Sequence, residues 1–290
     1  MSRILYLWDY VKYLKNPISC LLFKYGYKKE VTVKFRGRKE EIKLTKVGHM
    51  NRLIDMLISP SDEYDFINYM KDIESDKEII TVLDDIKIYN PSKFGFNSIF
   101  SEYYTDYYSN FDVNYKNRTI IDVGANAGDT ALYFASKGAK VYGFEPVKEF
   151  YEMALKNFKL NEKLNENIKI YNYGVSYKKG KLNIDSMDSV SDYVSNNDAY
   201  EVKIVSVNDI VKQVKPDLLK MDCEGCEFEI IEHCDMSIFN EIILEYHSKM
   251  VGKDYKKLIE KLENDGFTID VSPIRRDNVK DIGIMHAIKK

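Results

Sequence analysis

The stretch IIDVGANAGDT, residues 120–130, passes from an apolar, β-branched run into small residues and then into the start of a helical segment. Glycines stand at Gly124 and Gly128, with Asn126 where a third would fall. Small residues keep side chains clear of a ligand, so that backbone N–H groups and the positive end of the following helix can approach it. Asn126 tolerates the left-handed conformation that a glycine would supply. The competing reading is a tight corner whose glycines only let strand and helix pack. Glu145 favours the ligand, because it ends the next strand, KVYGFEP, where a carboxylate can accept both hydroxyls of a ribose.

Outward from this turn the pattern is strand and helix in alternation. TIIDVGA, KVYGFEP, NIKIYNYGV, PDLLKMD and EIILEYH read as strands, and DTALYFASKG, EFYEMALKNFKLN, VSVNDIVKQV, EFEIIEHC and YKKLIEKLENDG as helices. FTIDVSP and IGIMHAIKK close the chain as two strands able to pair antiparallel. The expectation is an α/β fold with a doubly wound, mostly parallel seven-stranded sheet, its ligand site at the strand C-terminal ends where the order reverses.

Before residue 110 the texture differs. Ile4, Leu7, Trp8, Val11 and Leu14 recur at helical spacing up to Asn16-Pro17. EVTVKFRGRKEEIKLTK and IITVLDDIKIYN read as hairpins, and NRLIDMLISPSDEYDFINYMKDI as helix, loop, helix. Residues 1–110 are thus expected to form an α+β cap that recognises substrate, and residues 111–290 the cofactor-binding domain.

Composition bounds the partners. With 44% hydrophobic and 31% charged residues the chain can build a sizeable core. A formal net charge of −3 gives no bulk attraction to nucleic acid or anionic lipid. Few, clustered cysteines and the lack of a leader pattern at the start point to a reduced, cytoplasmic protein. No apolar run reaches the roughly 20 residues that span a bilayer.

The nicotinamide dinucleotides and S-adenosylmethionine share this turn geometry. A pyrophosphate needs the full glycine fingerprint, whereas here Asp122 precedes the loop and Asp129 sits in the first helical turn; carboxylates there suit a methionine ammonium better. The run IIDVGANAGDTALYF, VYGFEP, NYGVS, DLLKMDCEGCEFEII and IILEYH, over roughly residues 115–250, resembles the FkbM-type S-adenosylmethionine-dependent methyltransferases, a class I Rossmann-like family. The resemblance implies methyl transfer, usually to an oxygen of a sugar, glycolipid or polyketide-like product; N-methylation of an amine or protein side chain, and a non-catalytic protein that binds an adenosine ligand, are the alternatives. It carries the glycine-turn role onto Asp122, Gly124, Asn126 and Gly128, with Ala125, Asp129 and Thr130 beside them. It carries the ribose contact onto Glu145 with Pro146 and the adenine neighbourhood onto Asn172, Tyr173 and Gly174; Asp222 is expected to border the methionine moiety and the transferring methyl rather than to act as base.

The family segment D-V-E-G-A-E appears here as DCEGCE. Cys223 and Cys226 are expected as buried small residues, since Asp222, Glu224 and Glu227 crowd the thiols with negative charge and oppose a reactive thiolate. Period-two spacing places Lys220, Asp222 and Glu224 on one side of their strand end, and Glu245 and His247 on one side of the next. His247 is the expected general base, oriented by Asp222 or Glu245, with a strand-capping role as the alternative. A divalent metal on this carboxylate cluster is chemically feasible but not favoured. His49, His233 and His286 read as structural.

The acceptor is expected to be a small molecule or glycan, selected by the cap and the run SEYYTDYYSNFDVNY, whose tyrosines could stack on sugar faces but are expected rather to pack the cap against the core. Trp8 with Arg3, Lys12 and Lys15 allows a peripheral membrane contact, but packing onto the cap or a partner subunit is the expectation.

Overall fold

A computed structural model describes residues 2–58, 66–94, 113–184, 200–273 and 280–289. The described residues fall into two compact units, one up to Phe94 and one from Val113 onward. Residues 101–112 of the tyrosine-rich run lie outside the described residues.

The first unit opens with helices α1 (Ser2–Tyr13) and α2 (Pro17–Lys24), broken at Asn16, whose successor proline starts the second helix. A hairpin follows, β1 (Val31–Lys34) and β2 (Glu41–Leu44), with Val31 opposite Leu44. Helices α3 (Val47–Ile58) and α4 (Phe66–Glu74) come next, then the hairpin of β3 (Ile79–Val82) and β4 (Ile86–Tyr89), and the short α5 (Pro91–Phe94). Tyr10, Leu14, Phe23, Val33, Phe35 and Leu44 are buried among its core. The apolar face of α1 departs from expectation: Tyr10 and Leu14 point inward, while Trp8 is 67% exposed and does not pack onto the cap.

The second unit is the expected sheet. Its elements in order are β5 (Thr119–Val123), α6 (Asp129–Ser136), β6 (Lys140–Phe144), α7 (Lys148–Lys159), α8 (Glu162–Asn165), β7 (Ile168–Tyr171), β8 (Gly174–Ser176), β9 (Gly180–Ile184), β10 (Tyr200–Ser206), α9 (Val207–Val214), β11 (Leu218–Met221), α10 (Cys226–His233), β12 (Glu241–Tyr246), α11 (Ser248–Val251), α12 (Lys256–Asn264), β13 (Phe267–Pro273) and β14 (Gly283–Lys289). Seven strands form one sheet in the order β13-β14-β12-β11-β5-β6-β7, parallel except for β14. The order reverses between β5 and β11, so their C-terminal ends bound the expected crevice. A smaller sheet, β8-β10-β9, was not foreseen; β10 pairs parallel to β8 and antiparallel to β9.

Register sorts the side chains. Ile121, Leu219 and Ile242 are aligned neighbours, as are Val123, Met221 and Leu244, and all six join one apolar cluster with Phe228 and Ile231 of α10. The residues between them therefore project from the other face. There Asp122 aligns with Lys220 and Gly143, and Lys220 with Ile243. Continuing by twos brings Glu145, Asp222, Glu245 and His247 onto that same face at the strand ends.

Candidate active site

The β5–α6 turn uses three left-handed residues: Gly124 (φ +77), Asn126 (φ +45) and Gly128 (φ +79). A Cβ on Gly124 would stand 1.7 Å from the Asp222 carbonyl oxygen, so only glycine lets β5 and β11 close here. A Cβ on Gly128 would stand 2.5 Å from the Phe158 ring. The Asn126 side-chain oxygen accepts from Ala127 N–H at 2.7 Å, and Asn157 Nδ2 donates to the Ala127 carbonyl at 2.8 Å, which fixes the turn from below. Ala125, Asp129 and Thr130 are buried in this turn and the first turn of α6.

Glu145 is buried and accepts from two backbone N–H groups, Asn126 and Val147, each at 2.8 Å. It ties the loop after β5 to the loop after β6. A carboxylate has about four acceptor positions, so two remain for ribose hydroxyls. Burial pushes its carboxyl up to about 7, against the downward pull of the Val147 and Asn126 donors. Asn172 donates to the carbonyls of Glu145 and Pro146 at 2.9 and 3.0 Å, tying the loop after β7 to the same place.

Tyr173 and Gly174, assigned to the adenine neighbourhood, follow Asn172 and make packing contacts of their own. A Cβ on Gly174 would meet Ile204 Cδ1 at 2.4 Å, so this glycine serves the contact between β8 and β10. The Tyr173 ring stacks on Tyr171, which stacks on Phe144, on the face away from Glu145. These three rings line a cavity of 640 Å³ beside Lys203 and α9, which no residue of the glycine turn lines.

Beneath the turn, Lys220 is buried with Nζ 3.0 Å from both the Gly124 carbonyl and Asp122 Oδ1. The second contact is an ion pair without hydrogen-bond alignment, and among the described residues neither Asp122 oxygen has a hydrogen-bond partner. Burial pushes the Asp122 carboxyl up, and Lys220 draws it back down. Burial works against the Lys220 charge, but Asp122 and Asp222 outweigh it and raise its pKa.

At the ends of β11 and β12, His247 is surrounded by carboxylates. Its Nε2 lies 3.4 Å from both Glu224 and Glu245, and its Nδ1 lies 3.3 Å from Glu227. Burial opposes a charged imidazole, yet the bonds to Glu227 and Glu245 prevail and hold its pKa up to about 11. At neutral pH the ring therefore carries its proton and has no lone pair to receive another, which counts against the expected base. Asp222, Glu245 and His247 bring one ligand atom each to within 4.8 Å of one another. Such a set could hold a cation, which on binding would have to displace the imidazole proton. Asp222 is pushed up to about 7 by burial and by Glu245, with Lys220 and His247 pulling it down; Glu224 is also raised, burial first.

Glu227 is the residue the sequence did not single out. Fully buried in the first turn of α10, it accepts from Gly225 N–H and His247 N–H, each at 2.8 Å, as well as facing His247 Nδ1. It joins the turn after β11 to the end of β12. That turn also corrects the reading of Cys223 and Cys226. Left-handed backbone at Glu224 (φ +54) and Gly225 (φ +110) brings their Cα atoms to 5.5 Å, and the half-buried sulfurs are joined as a disulfide; they are not two isolated thiols. Cys20 and Cys234 are free and buried.

The remaining histidines are structural. His49 faces Glu74 at 2.6 Å, His233 packs on Tyr177, and His286 faces Glu241 at 2.5 Å.

A reversed-order parallel sheet, a glycine turn after its central strand and a buried acid after the next strand define a Rossmann-like cofactor-binding enzyme of the class I methyltransferase type. Residues 122–269, half of the chain, match the methyltransferase FkbM domain, and the chain belongs to this family of S-adenosylmethionine-dependent methyltransferases. It is 26% identical over 192 residues to the methyltransferase sdnD of Sordaria araneosa, covering 52% of this chain and 74% of that one. It is 33% identical over 121 residues to uncharacterized protein 158B of Sulfolobus islandicus rod-shaped virus 1, covering 41% of this chain and about half, 54%, of the viral one. Among solved structures, the methyltransferase FkbM from Methylobacillus flagellatus aligns with a TM-score of 0.44 at 13% identity, covering 83% of this chain and 59% of that one. Precorrin-6y C5,15-methyltransferase from Geobacter metallireducens aligns with a TM-score of 0.42 at 12% identity, covering 74% and 96%.

The residues present fit the family's cofactor. Among the described residues both oxygens of the buried Asp122 carboxylate lack an aligned hydrogen bond beside the Lys220 ion pair, and Glu145 keeps acceptor positions free. Carboxylates outnumber cations on this face, the electrostatics that a sulfonium and an ammonium require.

Proposed function

We propose that this protein methylates a hydroxyl oxygen of a glycan, glycolipid or related small-molecule acceptor. The observation that carries this reading is the cluster of Asp222, Glu224 and Glu245 around a protonated His247, with the Asp222 carboxyl raised to about 7. S-adenosylmethionine supplies a methyl group that is already electrophilic. The protein then has to align the acceptor and take its proton as the C–O bond forms. A carboxylate whose proton affinity is matched to neutral pH suits that second task, so the base role passes from His247 to Asp222. His247, with Nε2 3.4 Å from both Glu224 and Glu245, holds these two side chains in place. The turn residues from Asp122 to Thr130 hold the methionine and adenosine parts, with Glu145 at the ribose and Asn172 with Pro146 on the adenine side.

Incubation with methyl-labelled cofactor and candidate glycans or lipid extracts, followed by mass spectrometry, tests the reading. The expected product is a methyl ether, formed at a rate that rises with pH through about 7. Asp222→Asn is expected to lower kcat far more than His247→Gln. Label on nitrogen, or a kcat that Asp222→Asn leaves untouched, overturns it.

A further inference from the structure

Helices α1 and α2 expose a concentration of large apolar side chains. On α1, Leu7, Trp8 and Val11 are exposed by 40, 67 and 46%. Their spacing puts them on one side of the helix, opposite the buried Asp9 and Tyr10. On α2, Ile18 and Leu22 lie one turn apart at 74 and 38%, and Tyr25 and Tyr27 just beyond its end are 62 and 78% exposed. The opposite sides, with Cys20 and Phe23, are buried, so the exposed residues are not those that hold the pair to its unit.

Charge on this surface has one sign. Lys12, Lys15, Lys28 and Lys29 are exposed, and among the described residues none of the four is paired with a carboxylate. The single acid between residues 2 and 29 is Asp9, which is buried. The protein as a whole is acidic, with a formal net charge of −3, so this face stands apart from the rest.

We propose that the α1–α2 pair docks on an anionic lipid bilayer. Aromatic rings and aliphatic side chains enter the headgroup boundary, and the lysines face lipid phosphates. A Trp with two Tyr suits this boundary, since each ring has an apolar body and a polar edge. Oligomerisation through the same apolar residues would place unpaired lysines against their own copies, which charge disfavours.

Trp8 is the sole tryptophan of the chain, so its emission reports on this surface alone. The full-length protein is titrated with vesicles of phosphatidylcholine containing phosphatidylglycerol, and with vesicles of phosphatidylcholine only. Expected are a blue shift and co-sedimentation with the anionic vesicles that weaken as salt is raised. Lys12→Gln with Lys15→Gln should weaken partitioning roughly 25-fold, about fivefold per lysine. Ile18→Asp with Leu22→Asp should abolish the shift, while circular dichroism and cofactor binding stay unchanged because both residues lie outside the core. Emission that does not move with anionic vesicles overturns the proposal. So does an equal shift on neutral vesicles, or a shift that follows protein concentration without lipid and accompanies a dimer in sedimentation.

Discussion

Glu145→Gln separates the two roles this carboxylate plays. In the fold its two oxygens receive the N–H groups of Asn126 and Val147; an amide can answer only one of them and turns an NH₂ toward the other. Its carboxyl is raised to about 7 from an ordinary 4.5, chiefly by burial. Because the folded value is the higher one, the stabilisation is complete below 4.5 and is lost as pH rises through about 7. At roughly 1.4 kcal/mol per tenfold change in proton affinity, ionising Glu145 costs the folded protein about 3 kcal/mol by pH 8. Glutamine does not ionise, so the stability lead of wild type over variant should shrink by about 3 kcal/mol between pH 4 and pH 8. Comparing the two at each pH cancels the parallel titration of Asp222. Affinity for S-adenosylmethionine should fall by about 1.5–3 kcal/mol at pH 8, because charge-assisted bonds to the ribose are lost. Urea denaturation of the cofactor-free protein measures the first quantity and titration calorimetry the second. A stability difference that ignores pH, or an unchanged affinity, would refute the assignment of Glu145.

Three further outcomes follow from the same face. Glu227→Gln removes the acceptor shared by Gly225 and His247; it should cost about 1.5–3 kcal/mol of stability and lower the His247 pKa from about 11, read by NMR titration of the ring. The stability His247 contributes is present below its ordinary 6.5 and lost only as pH passes about 11, so this variant should lose it earlier in an alkaline denaturation series. Gly124→Ala, with its Cβ 1.7 Å from a backbone oxygen and φ at +77, should cost more than about 2 kcal/mol and abolish cofactor binding, whereas Asn126→Gly should keep the turn and lose only the bond to Ala127 N–H. Cofactor binding should release protons between pH 6 and 8, because a sulfonium favours the charged forms of Glu145 and Asp222; binding heats that are identical in buffers of different ionisation enthalpy would contradict this.

The centre of the sheet was legible because β5, β11 and β12 are almost wholly buried and read as mainly apolar runs that lead into glycine or acid. The small sheet was not, because GKLNI and YEVKIVS alternate charge with apolar residues as an exposed segment does, and they pair across a long insertion. The cluster around His247 was legible in its members but not in its protonation. That depends on Glu227, which in sequence is one of two acids in the first turn of α10 and is set apart only by standing directly before the apolar Phe228. Trp8 shows the converse limit: apolar residues at helical spacing announce a helix with an apolar side, but not that the side faces its own core.

One register explains both the core and the site. The alignment that stacks Ile121 on Leu219 and Ile242 obliges Asp122, Lys220 and the acids beyond them to share the opposite face. A slip of one residue between β5 and β11 would bury Asp122 in the apolar cluster and turn Ile121 toward the turn, so competing registers are penalised twice over. The Asp122–Lys220 ion pair lies 3.0 Å apart at the aligned position, where removing one partner strands the other charge. For that reason Lys220→Met alone should be more damaging to the fold than Lys220→Met combined with Asp122→Leu. A double-mutant cycle on these two positions then measures how much of the pair serves the fold and how much serves the cofactor, since only the latter loss survives in the double variant.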